Sequence, residues 1–481
     1  MKWFLNGWII VFVLVLTGCK DIPLNYPKET SSAYKAYTST SMGKIFAKKE
    51  MNHPGRSGFD IVSYGREAFT ARIAMAQMAE KSLDLQYYLW EVDETGRLLV
   101  HYVLKAADRG VKVRILLDDM GLDSRDTMLA SIDAHPNIEI RIFNPFSKRS
   151  SRGLNFLTDF DRVNHRMHNK TYIMDNTLLM VGGRNIGNHY FGVDSKVNFR
   201  DLDVVAAGPI VRDVSKVYDY FWNGKWSIPL KALVDKKYSY ADMKNARATI
   251  AKKVSEDHYP YPLSEDIHSV QSQMKTISKN LVWAKGIYIW DDPKQMVLSE
   301  NKQRGTMIQR LNTKSKTLKK SLTIETPYFV PREQGTAELK HLAQRGVKIR
   351  ILTNSQSSND VGAAFAGYEK YRKPLLQSDI ALYELRADAG NNSIINKETK
   401  LGSVSSALHT KAMVFDEKRV FVGSFNLDPR SAAINTEGGL SIESTVLAKR
   451  VLAYMSEGVK PQNAYKLTLD SKGDIVWSTM T

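Results

Sequence analysis

The 481-residue chain has one cysteine, Cys19, which excludes an intrachain disulfide. It has no long apolar run. The stretch from Trp3 to Leu16 is shorter than the ~20 residues a spanning helix needs, and Asn6 and Gly7 interrupt it. It lacks a dinucleotide-type glycine loop, because Gly182, Gly183 and Gly187 do not have the GxGxxG spacing. It also lacks acidic character: 68 Lys and Arg against 51 Asp and Glu leave a net charge of +17. The expected partner is therefore anionic, a phospholipid surface or a nucleic acid. Much of that charge, including Lys236, Lys237, Lys244, Arg247, Lys252 and Lys253, reads as ordinary solvated faces.

What is present is a globular composition, 43% hydrophobic and 25% charged, on a chain longer than one hydrophobic core usually serves. The first 19 residues read as an export signal: Lys2 gives a positive start, Trp8 to Leu16 an apolar run, and small residues follow. Leu16-Thr17-Gly18-Cys19 resembles the bacterial lipobox. That resemblance implies lipidation of Cys19 and a periplasm-facing, membrane-anchored place in the cell envelope, with Lys20 in the following position pointing to the outer membrane.

An internal repeat organises the rest. Arg109-Gly-Val-Lys-Val-Arg-Ile-Leu116 recurs as Arg345-Gly-Val-Lys-Ile-Arg-Ile-Leu352, and Lys81-Ser-Leu recurs as Lys320-Ser-Leu. In each copy an apolar strand (Leu83 to Trp90; Leu322 to Val330) precedes a helical stretch that stops at Gly110 or Gly346, and a β-branched strand follows. This is a βαβ unit, so each copy is expected to be an α/β lobe with a mixed or parallel sheet flanked by helices. A later helix opens at Gly208-Pro209 with Val211, Val214, Tyr218 and Phe221 on its apolar face. Val446, Val451 and Met455 occupy the comparable place in copy two. The expected lobes run over residues 55–225 and 285–460, separated by a basic, aromatic connecting insert at 226–284 and followed by a tail at 461–481. Lys244 to Val254 of the insert is expected to be helical. Tyr259, Tyr261, Trp283, Tyr288 and Trp290 are placed either against a bilayer or substrate channel, or in satellite packing.

Within the repeat lies the chemistry. His168-Asn-Lys170-Thr-Tyr-Ile-Met-Asp175 recurs as His409-Thr-Lys411-Ala-Met-Val-Phe-Asp416, 241 residues later. Side chains two apart on a strand share a face, so each histidine stands beside a fixed positive charge. The aspartates fall where the strands turn and read as mainly structural members of the motif. Gly182-Gly183-Arg-Asn185 and Gly423-Ser424-Phe-Asn426 follow at identical spacing, with each asparagine 17 residues after its histidine. Gly183, Asn185, Ser424 and Asn426 are thus candidates to bind a phosphate with the lysines. Each copy later offers a carboxylate, Asp201 or Glu437, able to orient a histidine. No metal is expected, since an ammonium two residues from each histidine opposes a cation. His101, His165 and His189 lack a matching partner motif and read as structural or exposed.

The duplicated HxKxxxxD with its Gly-(Gly/Ser)-x-Asn segment resembles the phospholipase D superfamily. Asn164-His-Arg-Met-His168, Gly182 to Gly187 and Asp201-Leu-Asp203 resemble its bacterial cardiolipin synthase C subgroup. The resemblance implies one active site at a pseudo-twofold interface between lobes, with no cofactor. One histidine attacks phosphorus and the other serves as acid and base; similarity assigns these roles to His168 and His409 respectively. It implies transphosphatidylation between two phospholipids to form cardiolipin. Hydrolysis to phosphatidic acid is the alternative, nucleic acid is a less favoured substrate, and no protein partner is indicated.

Overall fold

The computed structural model describes residues 22–479 apart from 123, 148, 265, 267, 269, 271, 273–277, 295–305 and 393–403. The expected signal and Cys19 lie outside the described residues. The first lobe contributes β1 (Ser57–Val62), β2 (Ser82–Tyr87), β3 (Lys112–Asp118), β4 (Ile138–Phe143), β5 (Thr171–Met174), β6 (Leu178–Gly182), β7 (Val197–Arg200), β8 (Asp203–Ala207) and β9 (Ser227–Pro229). The bridging strand β10 (Val282–Trp290) opens the second set. It is followed by β11 (Ser321–Glu325), β12 (Lys348–Asn354), β13 (Ala381–Leu385), β14 (Ser405–Leu408), β15 (Ala412–Phe415), β16 (Arg419–Gly423), β17 (Gly438–Glu443), β18 (Ala464–Leu469) and β19 (Ile475–Ser478).

Both lobes have the same sheet order. In the first it runs β1-β8-β6-β5-β2-β3-β4-β9, with β2, β3 and β4 mutually parallel and the other pairings antiparallel. In the second it runs β10-β17-β16-β15-β11-β12-β13-β18-β19, with β11, β12 and β13 parallel. Antiparallel pairing of β1 with β10, Phe59 opposite Val282, joins them into one 17-stranded sheet with its pseudo-twofold between those strands. The βαβ reading explains each parallel step. Asp93 caps the helix Glu94–Asp108, which buries Leu99, Tyr102 and Val103. Gly110 and Gly346, at φ +92 and +84, then turn the chain into β3 and β12.

Strand alternation divides the core into layers. Leu178 and Met180 of β6 face the outer helices of the first lobe, whereas Leu179 and Val181 face a central layer shared with Val420, Val422, Leu440 and Ile442 of the second. Helix Pro209–Asn223 enters that layer through Val211, Val214, Tyr218 and Phe221. Its counterpart Thr445–Gly458 uses Leu447, Ala448, Val451 and Met455; Val446, expected on that face, is 49% exposed.

The segment boundaries differ from those expected. The stretch 226–284 is not a separate connector. β9 extends the first sheet, helix Tyr240–Glu256 packs on helices Glu94–Asp108 and Asp126–Asp133, and β10 joins the lobes. Trp283 stacks on His53 at 4.5 Å and Tyr288 is buried, so both are packing residues. The stretch after 460 carries the hairpin β18–β19 on the edge of the second sheet. Short or half-exposed strands such as these leave little period-two signal. Among the described residues, no helix is long and apolar enough to cross a membrane.

Candidate active site

Two short crossings between the lobes build the site. β14 runs parallel to β7, placing Leu408 opposite Arg200 and hence His409 beside Asp201. The matching crossing is a parallel bridge of Met167 with Thr436, which sets His168 beside Glu437. The backbone repeats the same step at both: His409 N–H donates to Arg200 O at 2.8 Å, and His168 N–H to Thr436 O at 2.9 Å. Each histidine is therefore oriented by the other lobe's carboxylate. His168 Nδ1 lies 2.9 and 3.1 Å from the two Glu437 oxygens and 3.1 Å from Ser424 O. His409 Nδ1 lies 2.6 Å from Asp201 Oδ2. With Nδ1–H held in this way, Nε2 of each ring is left for chemistry.

The lysines are equally fixed. Lys170 Nζ donates to His168 O and Lys411 Nζ to His409 O, both at 2.6 Å. One of three ammonium donors is spent on position, and the others remain for an anion. Burial, reinforced by both ammonium groups, holds His168 and His409 well below the usual imidazole range, so both rings are neutral. Burial also pulls Lys170 well down and brings Lys411 to about 8. It raises Asp201 against the pull of Lys411 and Arg184, and lifts Glu437 to about 7 against Lys170. A phosphodiester entering this cluster returns the cationic forms to favour, since its negative charge replaces lost hydration.

The remaining predicted residues divide. Asn185 Oδ1 accepts from Leu89 N–H at 3.2 Å and its Nδ2 donates to Tyr190 Oη at 2.9 Å. Asn426 is buried with its Oδ1 unpartnered. Ser424 turns its hydroxyl onto Glu437 and Gly438 O, away from a phosphate-binding role, while Ser431 Oγ donates to Glu437 Oε1 at 2.7 Å. Gly183 is the counterpart of Ser424, and a side chain there would collide with Asp201. Asp175 and Asp416 do not reach the site. Asp175 accepts three backbone N–H groups, from Glu80, Lys81 and Ser82 at 2.9, 2.7 and 2.7 Å. Asp416 accepts the equivalent three, from Lys319, Lys320 and Ser321.

Several site neighbours carry no repeat signal. The Tyr88 ring packs edge-on to His168 at 5.1 Å; Phe199 stacks on His409 at 5.1 Å and 11°, with Tyr190 edge-on at 5.1 Å. His189 joins the same aromatic group, 4.8 Å from Phe199. Pro327 and Ser431 occupy the places of Tyr88 and Tyr190 in the other copy, so duplication does not mark these aromatics.

A sequence profile described as "Cardiolipin synthase, PLD-like domain" matches residues 72–222 and again 307–458. The chain belongs to the phospholipase D-like cardiolipin synthase family. It is similar to cardiolipin synthase C of Escherichia coli, 39% identical over 429 residues that make up 88% of this chain and 89% of that one. An uncharacterized protein of Helicobacter pylori is 33% identical, over 94% of this chain and 88% of its own. A cardiolipin synthase of Clostridium perfringens is 23% identical, over 89% of this chain and 75% of its own. Phosphatidylserine synthase of Haemophilus influenzae shares the family fold at TM-score 0.57, with 16% identity over 86% of this chain and 90% of that one. As a family member the chain is a phosphatidyltransferase-class enzyme with two phospholipase D-like repeats.

Proposed function

We propose that the enzyme makes cardiolipin, moving a phosphatidyl group from a donor such as phosphatidylethanolamine to phosphatidylglycerol through a phosphohistidine on His168. The observation that carries this reading is the crossed pairing of two neutral histidines with the opposite lobe's carboxylates, around two lysines. Entry of the anionic phosphodiester shifts His409 to its imidazolium, protonated on both ring nitrogens. His168 Nε2 then attacks phosphorus, the bond from phosphorus to the headgroup oxygen breaks, and His409 gives its Nε2 proton to the departing alkoxide, becoming neutral. Neutral His409 then takes the proton of the acceptor hydroxyl, whose oxygen bonds to phosphorus as His168 Nε2 leaves. Lys170 and Lys411, with the two asparagine amides, neutralise the phosphoryl oxygens, each worth about 10² to 10³ in rate by analogy with oxyanion donors.

The carboxylates support that division of labour. Glu437 shares its charge with the hydroxyls of Ser424 and Ser431, so it favours an imidazolium at His168 less strongly. Apart from His409, Asp201 accepts from the Leu202 N–H at 2.7 Å, and its closer contact makes His409 the better proton carrier.

Purified enzyme given both lipids is expected to yield cardiolipin without added metal and to lose that activity in His168→Ala and His409→Ala. Phosphatidic acid as the sole product would overturn the synthase reading. The proposed envelope anchor is checked separately: labelled palmitate is expected in the chain and absent from Cys19→Ala.

A further inference from the structure

The segment 149–164, which leads from β4 to His168, is built inside out. Its arginines are tucked in, with side chains only 11, 10 and 14% exposed at Arg149, Arg152 and Arg162. Arg149 pairs with Asp119 and Asp126, Arg152 donates to the carbonyls of Asp119 and Leu122, and Arg162 donates to Asn144 Oδ1 at 2.7 Å. Asn155 is fully buried and accepts from Ser147 N–H and Oγ. Val163 is buried and Phe156 packs on Phe146, but three other large apolar side chains point the other way: Leu154, Leu157 and Phe160 are 47, 83 and 55% exposed. A helical segment facing water turns its apolar stripe inward, so this one is arranged for an apolar surrounding.

Its position gives that arrangement a use. The segment follows the carboxyl end of β4 and ends at Asn164, which Arg430 of the second lobe grips through its side chain and carbonyl, both at 2.6 Å. Four residues on stands His168, whose proton affinity Arg430 also lowers. The segment that carries the exposed apolar side chains thus ends beside the active site. Three side chains expose a few hundred Å², well short of the roughly 800 Å² per partner that a stable dimer buries. A net charge of +17 suits an anionic lipid surface.

We propose that Leu154, Leu157 and Phe160 insert into the acyl region of an anionic phospholipid bilayer and hold the mouth of the active site against it. This rests on the reading of the substrate as a membrane lipid, but its test does not require catalysis. In a Cys19→Ser background, Leu157→Cys carrying an environment-sensitive fluorophore is expected to shift to the blue on vesicles of phosphatidylglycerol and phosphatidylethanolamine. Brominated acyl chains are expected to quench it, while the same label at exposed Lys472 stays water-like. Leu157→Asp is expected to weaken vesicle partition about tenfold, leaving turnover of dispersed short-chain lipid unchanged. A label at 157 that stays water-like overturns the proposal, as does a Leu157→Asp variant whose change lies in self-association by ultracentrifugation, with vesicle partition intact. Failure to make cardiolipin with normal insertion would instead count against the synthase reading alone.

Discussion

The two lobes share a sheet order and a motif, yet they hold their histidines in different beds. Glu437 lies among Ser424, Ser431 and His168, whereas Asp201 closes directly on His409 over a glycine that leaves no room for a side chain. A longer carboxylate with two hydroxyl donors spreads its charge, whereas the shorter one takes a single backbone donor, the Leu202 N–H, and keeps its other oxygen for His409. The duplication fixes where the histidines meet. The differences at Gly183 and Ser424, and at Asp201 and Glu437, are what the proposed division into nucleophile and proton carrier rests on.

The sharpest break in that comparison is between the carboxylates. Asp201→Asn is expected to lower kcat by about 10³ to 10⁴, the upper figure being the loss when a triad histidine's orienting carboxylate is neutralised. Glu437→Gln is expected to lower it less, by about 10², because Ser424 O still accepts from His168 Nδ1. Steady-state kinetics of the pair with a fixed donor lipid decides the order, and equal losses would make the two beds equivalent.

Next come the motif aspartates. Removal of the buried Asp175 leaves three backbone N–H groups unpaired, so Asp175→Ala is expected to cost about 2–4 kcal/mol of stability. Asp416 is more exposed, and solvent replaces the lost acceptor, so Asp416→Ala is expected to cost about 1 kcal/mol. Their acidities differ in the same sense. At Asp175 burial outweighs the three donors and raises the carboxyl, whereas at Asp416 the donors outweigh burial and lower it. Denaturant unfolding of both variants tests the ranking.

The lysines give a smaller effect. Lys411 is charged below about 8 and neutral above it, so kcat/KM is expected to fall roughly tenfold per pH unit beyond that point in the free enzyme. Lys411→Arg keeps the charge and is expected to remove that limb at the expense of a lower plateau. Smallest is Ser424→Gly, which gives the second bed the first bed's glycine. It removes a donor from Glu437, makes that carboxylate more basic and raises His168. The acid limb of kcat/KM is then expected to move to higher pH, with the plateau changing only a few-fold. A limb that stays put would show that the hydroxyl does not tune His168.

Much of this was legible from residue identity. The repeated Arg-Gly-Val-Lys segments lead into β3 and β12 in matching registers, but only the second half of each HxKxxxxD copy is strand. β5 begins at Thr171 and β15 at Ala412, so each histidine and lysine falls in the crossing just before the strand, the lysine bonded back to the histidine carbonyl. Which carboxylate serves which histidine was not legible. It depends on Met167–Thr436 and Leu408–Arg200, pairings between lobes that no local pattern encodes. Its matched spacing makes Ser424 a phosphate candidate alongside Gly183, but in the fold its hydroxyl is taken by Glu437. The aromatic walls from Tyr88, Tyr190 and Phe199 escaped because the other copy does not repeat Tyr88 or Tyr190.

The most direct test is to trap the covalent intermediate. Donor lipid is mixed with His409→Ala and with His168→Ala, quenched in base to protect a phosphoramidate, and mapped by mass spectrometry. The account predicts a phosphatidyl adduct on His168 in the first variant and none in the second. An adduct on His409 in the His168→Ala variant would contradict it.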